Sequence, residues 1–338
     1  MTLAIVGTNS RSTVSRDVDL SGTAGQAGHD LDAVGYHLPV MVQETMDGLS
    51  PRDGGMYLDA TVGEGGHALA ILDRSDPGGR VIGIDRDSRS LVRAVERLSS
   101  AGHRFVPVQG NYSQMAGICQ SNGISQTDGV LMDLGFSSRH IETPGYGFSF
   151  QRDEPLDMRY DPLQYLTAAE IINTYGQEEL ASLIFRFGEE PRSRSIAREI
   201  IRSRPMSTTG ELAQAVVRAM GPGRRQIHPA TKTFQALRIA VNEELEHLET
   251  GLAQAIDLLA SGGNLVVISY HSLEDRIVKT TLAREAAGCV CPPGLPVCVC
   301  GHEPRMRIIT RRVVKPSPDE VRQNPRSRSA RMRVAQRL

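Results

Sequence analysis

Leu58-Asp59-Ala60-Thr61-Val62-Gly63-Glu64-Gly65-Gly66-His67 is a glycine-rich turn between an apolar strand pattern and a helix, and Arg80-Val81-Ile82-Gly83-Ile84-Asp85 follows as a strand that ends on an acid. Glycines at such a first turn let backbone N–H groups approach a ligand closely, and a carboxylate about 20 residues later can accept both hydroxyls of a ribose. The two segments together describe a pocket for a nucleoside-bearing cofactor.

Working outward, apolar runs at 56–61, 80–85, 105–109, 129–134 and 264–270 read as strands, and helical patterns separate the first four. In 87–100, Leu91, Val92, Val95 and Leu98 are expected on one helix face, with acids near its start. Strand alternating with helix means a parallel sheet. The alternation then stops, because about 130 residues separate Asp133 from the next strand, far more than one crossover helix needs. Three capping boxes mark helix starts in that stretch: Thr167 with Glu170, Thr174 with Gln177, and Thr208 with Glu211. A helical insertion is therefore expected. The spacing of Phe234, Leu237, Val241, Leu245, Leu248, Leu252, Ile256 and Leu259 predicts one long amphipathic helix ending near Gly262-Gly263. Beyond the fifth strand, 271–286 reads as helix, 307–314 as strand, and 331–335 as an antiparallel last strand of a seven-stranded sheet. The domains expected are a flexible leader over 1–35, a discontinuous sheet domain over 36–137 and 229–338, and an inserted helical substrate domain over 138–228.

Of the 338 residues, 40% are hydrophobic and 23% charged, as in soluble globular proteins. No apolar run approaches the roughly 20 residues that span a bilayer, so no membrane association is expected. The first 35 residues lack the basic start and apolar block of a signal peptide. The net charge of −1 conceals an asymmetry, since 305–338 holds 11 of the 38 basic residues and only Asp319 and Glu320 among the acids. Clustered arginines suit a polyanion, with a solvated edge of the fold as the alternative.

A dinucleotide is the competing ligand for the glycine turn. A G-x-G-x-x-G reading from Gly63 finds Gly65 but then Ala68. Asp59, just before the turn, suits S-adenosylmethionine, whose ammonium and sulfonium are cationic, better than a pyrophosphate. A strand-end cap is the other reading of Asp59.

The chain resembles the ribosomal small-subunit RNA cytosine-N4 methyltransferases, the RsmH or MraW family, from residue 37 to the C terminus. The resemblance is carried by His37-Leu38-Pro39-Val40, the turn Thr61-Val62-Gly63-Glu64-Gly65-Gly66-His67, Asp133-Leu134-Gly135-Phe136-Ser137-Ser138, Gly147-Phe148-Ser149-Phe150, Pro155-Leu156-Asp157-Met158-Arg159, 228–242, Ser269-Tyr270-His271-Ser272-Leu273-Glu274-Asp275-Arg276 and Asn324-Pro325-Arg326-Ser327-Arg328-Ser329-Ala330. It implies a Rossmann-like class I S-adenosylmethionine-dependent methyltransferase sheet with a helical insertion, and N4-methylation of cytidine 1402 in the decoding region of 16S rRNA within the small (30S) subunit, in the cytoplasm. A homodimer stays open. By the same resemblance Gly65, Gly66 and His67 line the methionine part of the cofactor, Asp85 holds the ribose and Tyr112 packs near the adenine. Asp133 belongs to the same pocket. His140 stands where the family usually has a glutamine contact.

Methyl transfer to an exocyclic amine is largely a matter of placement, with acceptors drawing the amine protons out of the ring plane. Asp133 is the first candidate acceptor, with a structural cap as its alternative. Tyr270 or His271, after strand five at the same sheet edge, could contact the base or take up its proton. Phe136 could stack a flipped base. Lys232, Arg238 and Asn242 on the long helix, and Arg326 and Arg328 in the tail, are candidate RNA contacts. Segments 147–150 and 155–159 read as a lid, a cradle or a rigid linker. Cys289, Cys291, Cys298 and Cys300 in C-x-C-x6-C-x-C could bind Zn²⁺ or form an unligated loop; methyl transfer does not need the metal. Two further readings compete: a methyltransferase for another amine, and an RNA-binding assembly factor that retains the pocket.

Overall fold

The computed structural model describes residues 36, 38–135, 145–222, 227–292 and 297–338. The leader over 1–35, Phe136 and His140 lie outside the described residues. Residues 37–338 form one compact unit.

Seven strands build one sheet in the order β3-β2-β1-β4-β5-β7-β6. They are β1 (Met56–Asp59), β2 (Arg80–Asp85), β3 (Phe105–Gln109), β4 (Thr127–Asp133), β5 (Leu259–Ser269), β6 (Met306–Ile308) and β7 (Arg331–Arg337). The first five are parallel, and β7 runs antiparallel between β5 and β6. The expected class, a Rossmann-like α/β sheet with a helical insertion, is the one observed. Strand order reverses between β1 and β4, and ligands of open α/β sheets bind beyond the carboxyl ends of strands at such a switch point.

Both faces of the sheet are covered, and successive strand residues alternate between two cores. Leu58, Ile82, Val130, Met132, Leu265 and Val267 pack under the helices Met115–Ser121, Glu244–Leu258 and Ser272–Glu285. Tyr57, Val81, Leu131, Val266 and Ile268 pack on the other side, with the helices Val42–Leu49, Gly66–Arg74 and Ser88–Arg97. In that last helix the face differs from the expected one. Leu91, Ala94 and Leu98 turn inward, while Val92 and Val95 are exposed, because Val92 lies about a quarter turn off the stripe that the other apolar residues define.

The insertion carries its own core, from Leu156 to Val241, built by the helices Ala168–Thr174, Gln177–Gly188, Ser193–Arg202, Thr209–Met220 and Thr231–Asn242. Thr167 and Thr208 cap their helices as expected, accepting from the Glu170 and Glu211 amides. Thr174 does not cap. Its hydroxyl donates back to Glu170 O, and the next helix is capped at Gly176, whose amide is held by the Glu179 carboxylate.

Two further expectations are corrected. The single long helix is two, Thr231–Asn242 and Glu244–Leu258, separated by Glu243 in the left-handed region at φ 50°. Each half satisfies a different core: Phe234, Leu237 and Val241 enter the insertion, while Leu248, Leu252 and Ile256 cover the sheet. The second half also stops earlier, since the chain is already strand at Leu259, and three extra residues of β5 bulge between the pairs Thr127 with Leu259 and Gly129 with Asn264. Strand β6 ends at Ile308 instead of reaching 314, where only Val314 bridges back to Met332.

Candidate active site

Three of the parallel strands end on a carboxylate, Asp59, Asp85 and Asp133, at the same edge of the sheet. The loops there surround a cleft of about 1260 Å³, its mouth to solvent included, lined among others by Gly63, Gly66, His67, Asp85, Tyr112, Asp133, Tyr160, Glu244, Tyr270 and Glu274.

The turn from β1 is held by backbone geometry that glycine alone adopts freely. Gly63 and Gly65 have φ of 52° and 79°. A Cβ on Gly66 would lie 2.9 Å from Pro39 Cγ, so the close approach of the 38–40 segment requires this residue. Asp85 braces the turn from β2: its Oδ2 accepts from Gly63 N at 2.8 Å and its Oδ1 from Asp87 N at 2.8 Å. Burial pushes its carboxyl up to about 6. Asp87 caps the next helix, accepting from Arg89 N at 3.0 Å. Thr61 ties β1 to β4, its hydroxyl accepting from Asp133 N at 2.7 Å.

Asp133 is the centre of the polar cluster. Tyr270 Oη donates to its Oδ1 at 2.8 Å, and His67 Nε2 lies 3.5 Å from its Oδ2. Burial and the adjacent Asp133 raise the Tyr270 phenol well above its ordinary value, so it stays a donor. Burial alone would lower His67, but Asp133 and Asp59 outweigh it and hold the imidazole above its usual range. Asp59 is 1% exposed, accepts from Thr61 N at 3.2 Å with Oδ1, and is pushed up to about 7 by burial. Its Oδ2 and His67 Nδ1 are buried with no hydrogen-bond partner among the described residues.

The far wall of the cleft includes Tyr160, Glu244 and Glu274, which sequence reading did not select. Tyr160 donates its hydroxyl to Glu244 at 3.1 Å, and Glu244 takes a two-pronged contact from Arg238, with both N–O distances 2.9 Å. Tyr112, placed near the adenine by the resemblance, does line the cleft, and its hydroxyl donates to Glu244 O at 3.4 Å. Glu274 accepts from Tyr270 N at 2.8 Å and His271 N at 3.2 Å. Burial would raise Glu274, yet His271 and Arg238 hold it below the usual carboxylate range. The capping pair His271-x-x-Glu274 was the one available signal for Glu274; Tyr160 had none.

Several candidates occupy other roles. His271 is the N-cap of the helix Ser272–Glu285, with Nε2 3.2 Å from Glu274 Oε1, and does not line the cleft. Arg238 and Asn242 do not face solvent. Arg238 is buried against Glu244, and the fully buried Asn242 accepts from Tyr160 N at 3.0 Å and donates to Met158 O at 2.8 Å, fastening 158–160 to the helix break at Glu243. The helix Thr231–Asn242 packs into the insertion on all but one side, which is why polar residues spaced along it end up inside. Lys232 is half-buried and donates to Glu189 O at 2.8 Å. Glu189 in turn joins the insertion to the sheet through Ser272 and through Arg276 at 2.7 Å. Of the basic C-terminal region, Arg331 and Arg333 pair with Asp275, whereas Arg326 and Arg328 are exposed. Cys289, Cys291, Cys298 and Cys300 form a separate cluster away from the cleft.

A carboxylate triad at the carboxyl edge of a seven-stranded sheet with an antiparallel β7 can hold a cationic nucleoside. The MraW methylase family model matches residues 35–338. The chain belongs to the MraW methylase family. Three relatives carry the name ribosomal RNA small subunit methyltransferase H. That of Dehalococcoides mccartyi (strain BAV1) is 55% identical over 302 residues, covering 89% of this chain and 86% of its own. That of Thermomicrobium roseum is 52% identical over 305 residues, with coverage of 89% and 94%. That of Geobacter sulfurreducens is 50% identical over 307 residues, with coverage of 89% and 99%. The match runs through the insertion as well as the sheet. Among the described residues no helix is long and apolar enough to cross a membrane.

Proposed function

We propose that this MraW-family chain transfers a methyl group from S-adenosylmethionine to the exocyclic N4 of cytidine 1402 in the decoding region of 16S rRNA, acting on the small subunit in the cytoplasm. The observation that carries the reading is Asp133, a carboxylate at the end of β4 held between the Tyr270 hydroxyl and His67 inside the cleft.

The residues present fit the cofactor. Asp59 and Asp85 are buried acids at the strand ends, Asp59 Oδ2 has an unused acceptor, and Gly65 and Gly66 let the turn pack tightly on Leu98 and Pro39 beside the cleft. When bound, S-adenosylmethionine supplies a methyl already activated by a sulfonium. Asp85 would take the ribose hydroxyls with acceptor sites beyond those used by Gly63 and Asp87. Tyr112 offers its ring to the adenine, while Gly65, Gly66 and His67 form the wall for the methionine part. Asp133 supplies the acceptor toward which the amine N–H points, so that the nitrogen lone pair leaves conjugation with the ring, and it takes the proton as the N–C bond forms. Tyr270, kept protonated, holds the carboxylate in position. Arg326 and Arg328 supply exposed charge for phosphate.

The test is transfer of labelled methyl from S-adenosylmethionine to purified small subunits lacking their native methylation, with nucleoside mass analysis and mapping. N4-methylcytidine at position 1402 is expected. Cofactor binding without transfer, or label on another atom or nucleotide, overturns the reading.

A further inference from the structure

The connection from the helix Ser272–Glu285 to β6 is tied down at its base, while the valines described further out are unpacked. At the base, Arg305 N donates to Glu285 O at 2.8 Å, the Arg305 guanidinium pairs with Glu285 and Asp257 at 2.7 Å each, and Leu338 N donates to Arg305 O at 3.0 Å. Further out, Val290, Val297 and Val299 are 41%, 69% and 78% exposed. Their packing does not gather the loop. Connections longer than about 12–15 residues without secondary structure need some device to hold them.

The sulfurs are gathered nonetheless. One Sγ from each of Cys289, Cys291, Cys298 and Cys300 lies within 4.8 Å of the other three, and all four cysteines are free. Three of the separations are 3.9 Å (291 to 298), 3.5 Å (298 to 300) and 3.9 Å (300 to 289). A disulfide requires about 2.05 Å. A tetrahedral ion with metal–sulfur bonds of about 2.3 Å sets sulfur–sulfur edges near ~3.8 Å. The observed edges bracket that value. Backbone amides also point at the sulfurs: Val290 N donates to Cys300 Sγ at 3.5 Å and Cys291 N to Cys289 Sγ at 3.4 Å. Such donors offset the negative charge that coordinated thiolates carry.

We propose that this loop is a structural metal site in which one Zn²⁺ is held by the thiolates of Cys289, Cys291, Cys298 and Cys300. Binding releases the thiol protons, forms four metal–sulfur bonds and changes no oxidation state. Four protein sulfurs close the coordination sphere, and none of the four residues lines the cleft, so the ion organises the loop and takes no part in methyl transfer. It joins the arm leaving the helix Ser272–Glu285 to the arm entering β6, where the basic C-terminal region begins.

The test uses the full chain, expressed with zinc in the medium and purified in reductant without chelator. Elemental analysis should give about one zinc per chain, falling below ~0.1 in the Cys291→Ser/Cys298→Ser variant, as expected when half of a closed ligand set is removed. Cobalt exchanged into the wild type should show sulfur-to-metal charge transfer and the visible bands of a tetrahedral ion. Chelation should speed proteolytic cleavage within 289–300 by about tenfold in the wild type and leave the variant unaffected, since an open loop is cut in proportion to its unligated population. If the double variant does not fold, Cys298→His should still bind zinc and shift the cobalt spectrum. Zinc-free reduced protein after zinc is offered, zinc retained by the double variant, stoichiometric iron in place of zinc, or two disulfides in freshly reduced protein would each overturn the proposal.

Discussion

Two polar clusters meet across the cleft, and they are built in opposite ways. On the sheet edge, Asp59, Asp85 and Asp133 converge around His67, and buried atoms of Asp59 and His67 lack hydrogen-bond partners. On the opposite side, Tyr160, Arg238, Asn242 and Glu244 are bonded to one another, and Glu274 is paired with His271 behind the cleft. Buried polar groups are almost always paired, so an acidic cluster with unused acceptors marks a place where a ligand does the pairing, whereas a saturated network marks a joint. The difference separates recognition from architecture without reference to residue type: both walls contain carboxylates and tyrosines.

The comparison breaks first at Arg238. Arg238→Met should destabilise the chain by about 3–5 kcal/mol in denaturant unfolding, because Glu244 would be left as a buried charge without its partner. The opposite result, near-native stability with selectively weaker RNA affinity, would mean that the far wall is an RNA surface. Next comes Asp133→Ala, which should lower kcat by about 10²–10³ with little change in the unfolding midpoint, the scale seen when one aligned polar group is removed from a transition state. An equal loss in stability would place Asp133 among the architectural residues. Tyr270→Phe is smaller: about tenfold in kcat, since it removes one hydrogen bond to the acceptor and leaves the acceptor itself. Smaller again is His271→Ala, expected to cost about 1 kcal/mol of stability as a lost helix cap with kcat kept. A shift of the pH–rate profile in that variant would return His271 to the proton path.

Legibility in the sequence followed the same division. The strands, the glycine turn and the positions of Asp85, Asp133 and Tyr270 could be read because each acid or hydroxyl ends an apolar run, and parallel strands bring such ends together. The break at Glu243 could not be read, since spacings of three and four continue across one left-handed residue although the two halves face different cores. Arg238 and Asn242 looked solvent-facing for the same reason: a helix inside an insertion is surrounded, and polar residues on it are buried by partners far away in sequence, here Tyr160 at 158–160. Thr174 kept the spacing of a capping box while the chain capped at Gly176. Tyr160 reaches the cleft only through tertiary packing, which no local pattern encodes, and Glu274 showed locally only as the capping partner of His271.

The last expected effect is the sharpest, because its sign differs between the two walls. Asp59 has its folded-state pKa at about 7 against 3.8 for the free group, with burial as the main cause. The folded chain therefore holds this proton more tightly than the unfolded chain, and the stability linked to it is fully present below the ordinary carboxylate range and lost as pH rises through about 7. Asp59→Asn keeps the acceptor for Thr61 N and removes the ionisation. It should leave stability near pH 4 unchanged and raise it at pH 8 by about 1–2 kcal/mol, less than the shift alone would give because the neighbouring His67 offsets part of the charge. Cofactor affinity should fall in the same variant as an attractive charge is lost. A variant that is less stable at pH 8 would show that the Asp59 carboxylate is already partnered in the folded chain; the sheet edge would then be a joint like the opposite wall, and its acids would no longer point to a cationic ligand.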